Sequence, residues 1–360
     1  MTTTLTPHSR RTSCHGIHQI RTLPILILFP HSRCNCRCLM CDIWKIRQVR
    51  EITPQDLEPH LESLRALEVR WVVFSGGEPL MHSDLAALAQ PLRAEGIRVT
   101  LLTAGLLLDR HARLVAECFD DVIVSLDGPP AIHDQIRGVP KAFERLARGV
   151  ESLRQHRASL PIRARTTIQR ANHLHLRHTV RAARNLGLNS VSFLAVDLTS
   201  ESFNRPHGWP VERQGAVSLG EEDVDGLAKE IEALIEDHAV HLASGFIAES
   251  PEKLRGIVAR FRAHLGQVEP TAPRCNAPWV SAVIEADGVV RPCFFHPAIG
   301  STCDMPLREV LNSPAAMIFR EELDIPNNPI CQRCVCSLYL PMEAPGPAEH
   351  ESPSAHAKYL

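Results

Sequence analysis

Six short apolar runs, separated by stretches of helical period, set the fold class. They are ILILF (25–29), WVVFS (71–75), RVTLLT (98–103), DVIVSLD (121–127), IRARTTI (162–168) and SVSFLAVD (190–197). Strands alternating with helices form a parallel sheet with right-handed crossovers. Such a sheet closes into a barrel or lies open, and ligands bind at the carboxyl ends of its strands either way. Functional motifs are therefore expected directly after strands. Between the runs, Thr53 and Pro54 read as an N-cap and first-turn pair, and Leu57, Leu61, Leu64 and Leu67 recur on one face. Pro59 sits badly inside that helix. Leu174, Val180, Ala183 and Leu186 mark another helical face before a stop at Gly187.

The organisation follows from these patterns. Residues 1–22 are polar and aperiodic and are read as a disordered arm. The alternating region occupies 23–218. Its last part, 198–218, is a long polar loop carrying His207 and Trp209 and is expected to shape a substrate pocket. Helical stretches near 220–238 and 251–266 make 219–271 a linking segment. A short-stranded, cysteine-bearing region covers 272–340, and a tail rich in Pro, Ala, Glu and Ser, 341–360, is expected to be disordered.

Charge narrows the partners. Thirty-nine Lys and Arg against 41 Asp and Glu leave a net charge of -2. No basic stripe is present, so a nucleic-acid partner is not expected. No apolar run reaches the roughly 18–20 residues that span a bilayer, and LPILILF (23–29) reads as a buried strand. A cytoplasmic protein with no membrane partner is expected. Twelve cysteines in a reducing compartment point to metal or redox chemistry rather than disulfides.

Four of them crowd FPHSRCNCRCLMCDIW (29–44), directly after the first strand. The useful spacing is Cys34-x3-Cys38-x2-Cys41. Three thiolates on one tight loop hold three corners of a cubane and leave one iron open, as at a catalytic metal site. A zinc knuckle is the rival. Cys36 is read as a small side chain turned away. After the second strand, FSGGEPLMHSDL supplies Gly76 and Gly77 for close backbone approach and Glu78 as an anion, a suitable cradle for an ammonium group. After the fourth, in VSLDGPPAIHDQIRG, Ser125 and Asp127 share a strand face and suit ribose hydroxyls. His133 and Asp134 are read as local cap chemistry. Arg163, Arg165 and Thr167 alternate on one side of the fifth strand and are read as a pocket wall. Near the C-terminus, Cys275-x17-Cys293 and Cys331-x2-Cys334 form a four-thiolate set for a closed cluster or a zinc ion, with a hairpin at Gly288 returning Cys293 towards Cys275. Cys303 and Cys336 are spare.

CNCRCLMCDIW resembles the CxxxCxxC loop of the radical S-adenosylmethionine (radical SAM) superfamily. FSGGEP looks like its SAM amino-group motif, and SLDG…HDxxRG resembles a segment of members with C-terminal auxiliary clusters. Met40 stands where an aromatic residue is common, and Ala104 replaces an Asn that often follows Thr103. The resemblance implies an α/β fold, a partial (β/α)6 TIM-like barrel with a small cysteine-rich auxiliary-cluster domain of the twitch or SPASM type. It implies a SAM-binding [4Fe–4S] cluster on Cys34, Cys38 and Cys41. It also implies SAM contacts from Gly76, Gly77, Glu78, Thr103, Ser125, Asp127, Arg137 and Arg165. One auxiliary [4Fe–4S] cluster on Cys275, Cys293, Cys331 and Cys334 is expected, because only Cys336 follows the C-x2-C pair. The implied activity is reductive cleavage of SAM to a 5′-deoxyadenosyl radical that abstracts hydrogen from a small-molecule or peptide substrate, with net oxidation. A flavodoxin- or ferredoxin-type protein would donate the electron. The rival readings are a non-catalytic iron–sulfur carrier and a zinc-stabilised α/β binding protein.

Overall fold

The computed structural model describes residues 18–341. Nine strands form one sheet in the order β6-β5-β4-β3-β2-β1-β7-β8-β9. They are β1 (Ile25–Leu28), β2 (Trp71–Phe74), β3 (Arg98–Thr103), β4 (Asp121–Ser125), β5 (Ile162–Ile168), β6 (Ser190–Ala195), β7 (Ser281–Ile284), β8 (Val289–Arg291) and β9 (Gly300–Ser301). The first six run parallel in sequence order, as alternation with helices requires. β7 pairs with the free edge of β1 in parallel, Ile25 opposite Ser281, and β8 and β9 continue antiparallel. The cysteine-bearing region therefore extends the same sheet. Gly288, at φ +81, makes its hairpin turn.

Both faces of the first strands are covered, which explains their unbroken apolar runs. Leu26, Leu28, Val72 and Phe74 pack into the helical layer. Ile25, Ile27, Trp71 and Val73 point to the inner face, where Leu338 and Leu340 cover them. β5 and β6 instead alternate, because their inner face lines open space: Ile162, Ala164, Thr166 and Ile168 are buried, while Arg163, Arg165 and Thr167 are half-buried. Arg163 is not free to meet a ligand. It pairs with Asp121 at 3.1 Å, and Arg98 holds the same carboxylate at 2.6 Å. Thr100 Oγ1 donates to that carboxylate and accepts from the Trp71 indole, at 3.1 and 2.7 Å. This network seals the amino-terminal end of the inner face.

Several expectations need correction. Residues 18–22 are not a disordered arm: Ile20 is buried and exchanges backbone bonds with the Asn312 side chain. Residues 1–17 and 342–360 lie outside the described residues. The first helix is broken where Pro59 removes a donor, into Pro54–Leu57, a 3-10 turn at Glu58–His60, and Leu61–Ala66. Thr53 caps it, with Asp56 reciprocating. Leu174 precedes its helix, Leu176–Asn185, and is exposed, so Leu176 carries the buried contact. Residues 211–217 of the long loop form a helix.

Candidate functional site

The cysteine loop follows β1 and is clamped from two sides. Glu78 N–H donates to the Arg33 carbonyl at 2.8 Å; Arg37 and Leu39 N–H donate to the Arg137 and Ile136 carbonyls at 2.9 and 3.0 Å. Both clamps need glycine. A Cβ on Gly77 would lie 2.1 Å from the Arg33 carbonyl oxygen, and one on Gly138 would lie 2.5 Å from that of Arg37.

Glu78 is fully buried, and burial pushes its carboxyl above the usual range. Its oxygens accept from Thr103 Oγ1 at 2.7 Å, Leu80 N at 3.1 Å and Ala104 N at 2.8 Å. Thr103 and Glu78 therefore form one unit, and the Ala104 backbone makes a contact that needs no side chain. Asp127 is likewise buried. It pairs with Arg137 at 2.5 Å and accepts from Thr167 N at 3.1 Å, so its carboxylate is engaged by the protein. The Arg137 guanidinium in turn reaches Cys38 Sγ at 3.7 Å. Asp134 accepts from Lys141 and Phe143 N–H at 2.7 and 2.8 Å, the local capping expected of it. Ser125 sits at the end of β4, opposite Arg165 on β5.

Cys36 is not turned away. It is buried, its N–H lies 3.5 Å from Cys34 Sγ, and hydrogen bonds to the Cys34 and Cys38 thiols push its own pKa far up. The Cys36 bond, helped by the Arg137 charge, lowers Cys38 to about 7, while burial raises Cys41 to about 12. Around this loop, Asn35 Oδ1, His133 Nε2, Arg137 Nε and Gln169 Oε1 are buried without a hydrogen-bond partner. Orphaned polar atoms beside three thiols fit a site built to receive a polar ligand and a metal cluster.

The second group of cysteines lines one cavity: Cys275, Cys293, Cys331, Cys334 and Cys336, with Phe294, Phe295 and His296. Burial raises Cys293 and Cys331 to about 11 and Cys334 further. Thiols converging on one cavity are the donor set a metal cluster takes, and a bound metal would offset the cost of ionising them. His296 is buried with Nε2 3.3 Å from Cys331 Sγ. Cys303 is exposed at the hairpin turn, outside this cavity.

The long loop ties the two cysteine sites together, which its sequence does not disclose. Asp42, next to Cys41, donates its N–H to the Phe203 carbonyl at 3.2 Å. It accepts from Asn204 Nδ2 at its own carbonyl (2.9 Å) and from Trp209 Nε1 at its carboxylate (2.8 Å). Ser202 Oγ donates to the carbonyl of Phe294, next to Cys293. Arg213, on the loop's helix, donates to the Leu39 carbonyl at 2.7 Å. Buried Arg205 pairs with Asp197 and stacks 4.7 Å from the Trp209 ring. Phe203, Asn204 and His207 adopt φ between 61° and 66°, a strain that persists where surroundings fix the backbone. Trp209 is thus a buried anchor.

Comparison with known proteins gives two family matches. Residues 28–162 match the radical SAM superfamily, and residues 275–335 match the SPASM iron–sulfur cluster-binding domain. The AdoMet-dependent heme synthase of Methanosarcina barkeri is 26% identical over 81% of this chain and 82% of its own. The Fe-coproporphyrin III synthase of that organism is 31% identical, over 41% of this chain and 38% of its own. The PqqA peptide cyclase of Ruegeria pomeroyi is 25% identical over 79% and 72%. Among solved structures, native anSMEcpe with bound AdoMet has a TM-score of 0.61 at 20% identity, covering 86% of each chain. Streptococcus suis SuiB bound to precursor peptide SuiA also reaches 0.61, at 14% identity, covering 90% of this chain and 74% of its own.

Proposed function

This chain belongs to the radical SAM superfamily and carries a SPASM-type iron–sulfur domain, and we propose that it oxidises a cofactor precursor or a peptide by hydrogen abstraction. The SAM-binding [4Fe–4S] cluster supplies one-electron cleavage of SAM to a 5′-deoxyadenosyl radical. Relatives named as heme synthase, PqqA peptide cyclase and mycofactocin maturase support both substrate classes.

The residues divide the work. Cys34, Cys38 and Cys41 would hold the cluster. Gly76 and Gly77 bring backbone carbonyls close to the loop, and Glu78 with Thr103 fixes that turn. Ser125, at the end of β4, would offer a hydroxyl to SAM. Asp127 orients Arg137 so that its positive charge offsets thiolate charge at Cys38. Cys275, Cys293, Cys331 and Cys334 would hold one auxiliary [4Fe–4S] cluster, which would supply an electron acceptor beside the substrate. We propose domain limits of 23–218, 219–271 and 272–340, which contain the two family matches at 28–162 and 275–335. In the reducing cytoplasm the thiols stay available for metal, and a flavodoxin- or ferredoxin-type protein donates the electron.

The observation that carries the oxidative reading is the tie between the sites: one loop is bonded to Asp42 beside Cys41 and to Phe294 beside Cys293. A fixed spacing between two redox centres serves electron transfer through a substrate between them. Anaerobic reconstitution with iron, sulfide, dithionite and SAM tests it. About eight irons per chain and formation of 5′-deoxyadenosine are expected, with about four irons and no cleavage in Cys38→Ala. Iron-loaded protein that leaves SAM intact would refute the assignment.

A further inference from the structure

A second cavity lies on the inner face of the sheet. Arg165, Ser192 and Leu194 form one wall; Lys253, Ile257 and Arg260 of the Pro251–His264 helix face them; Glu249 and residues 334–337 complete it. Arg260 is spent on the carbonyls of Gln332 and Thr271, at 3.1 and 3.5 Å. Glu249 is buried and takes the Phe193 N–H at 2.9 Å, completing the sheet edge. Arg165 donates through Nε to Ser192 Oγ at 3.3 Å. Its two terminal nitrogens, and the Lys253 ammonium, make no hydrogen bond or ion pair among the described residues; both cations act on Glu249 and Cys336 only at longer range.

Arg165 is half-buried and Lys253 exposed, so both hold donors that water now satisfies and that an anionic ligand in the cavity can take up. A guanidinium fork matches a carboxylate in shape and charge. Leu194, Ile257, Pro273 and Val335 ask for an organic body behind the charge. We propose that this cavity holds a carboxylate of the substrate, gripped by Arg165 and Lys253, so that the substrate is an organic acid or a peptide with a free carboxylate. This rests on the radical SAM reading above and moves Arg165 from the cofactor to the substrate. The cavity shares Pro273, Cys334, Cys336 and Ser337 with the auxiliary cysteine site, so a molecule anchored here lies against that site's wall.

The test is calorimetric titration of the reconstituted full-length enzyme. The probes are 3-phenylpropionate, its neutral amide, a tetrapeptide ending in a free phenylalanine carboxylate, and the amidated tetrapeptide. One acid or both should bind saturably, with the matching amide about tenfold weaker, and Arg165→Gln and Lys253→Gln should each weaken binding about tenfold. Binding by the small acid identifies a small-molecule substrate; binding by the peptide acid alone identifies a peptidyl one. Lys253 is exposed on its helix, so its variant decides the matter if Arg165→Gln misfolds. No binding of either acid, equal binding of acid and amide, or unchanged affinity in Lys253→Gln overturns the proposal. Cleavage of SAM by the same wild-type sample separates the failures: cleavage without carboxylate binding sinks the anion site alone, and no cleavage sinks the reading beneath it.

Discussion

The Trp209 indole donates to the Asp42 carboxylate at 2.8 Å, and Asp42 adjoins Cys41. A residue far along the chain thus fixes the last turn of the cysteine loop. Trp209→Phe keeps a buried ring but removes the donor, leaving Asp42 short of a partner. A loss of about 1–3 kcal/mol in stability is expected for that unmet bond. SAM cleavage should slow several-fold while iron content holds. Thermal unfolding and 5′-deoxyadenosine production measure the two effects. A folded, iron-loaded variant cleaving SAM at the wild-type rate would show that the strap does not position the loop.

Gly77 gives a sharper steric test. Its missing Cβ leaves room for the Arg33 carbonyl, and backbone on both sides cannot yield as a long side chain can. Gly77→Ala is expected to displace the cysteine loop and lower iron from about eight to about four per chain, with SAM cleavage lost. The remote auxiliary site and the far-ultraviolet circular dichroism should be retained. Full iron loading in the variant would mean that the clamp is looser than its geometry indicates.

Local chemistry was the readable part of this sequence. β3 and β5 begin and end where their apolar and alternating patterns do. The barrel order follows from strand–helix alternation, and the cysteine spacings put each set on one turn or one hairpin. Tertiary choices left no local trace. Nothing in SAVI (281–284) says that it will pair with β1 rather than start a separate sheet. The sequence offers Asp127 and Arg137 as ligand contacts; in the fold they also meet each other, because the Pro130–Arg137 helix brings its last residue back over the strand end. The burial of Cys36 among the other thiols leaves no trace for a related reason: spacing identifies ligands but not where the residue between them points.

That Asp127–Arg137 pair yields a third expectation. Both groups are buried, so removing one leaves the other charged in a poorly solvated place. Arg137→Met should cost about 3–5 kcal/mol, and adding Asp127→Asn should restore part of it, since no charge is then stranded. Chemical denaturation of the three proteins measures this. Additive losses in the double variant would show that the two side chains stabilise the fold independently.

His133 makes stability depend on pH. The ring is fully buried, its Nδ1 accepts from Asp127 N–H at 3.2 Å, and burial, reinforced by the nearby Arg137 charge, lowers its pKa to about 3. An unfolded chain restores it to about 6.5. A depressed pKa means that the neutral ring's contribution is complete above about 6.5 and is lost as pH falls towards 3, because the unfolded state then binds the proton first. His133→Gln retains an acceptor for the Asp127 N–H and does not titrate. Between pH 7 and 4.5 the wild type should therefore lose about 2–3 kcal/mol more stability than His133→Gln, at up to about 1.4 kcal/mol per pH unit. Urea unfolding of both proteins at each pH is the measurement. Cluster loss in acid affects both alike, so parallel pH curves would mean that His133 takes up its proton as readily in the folded protein as in the unfolded chain.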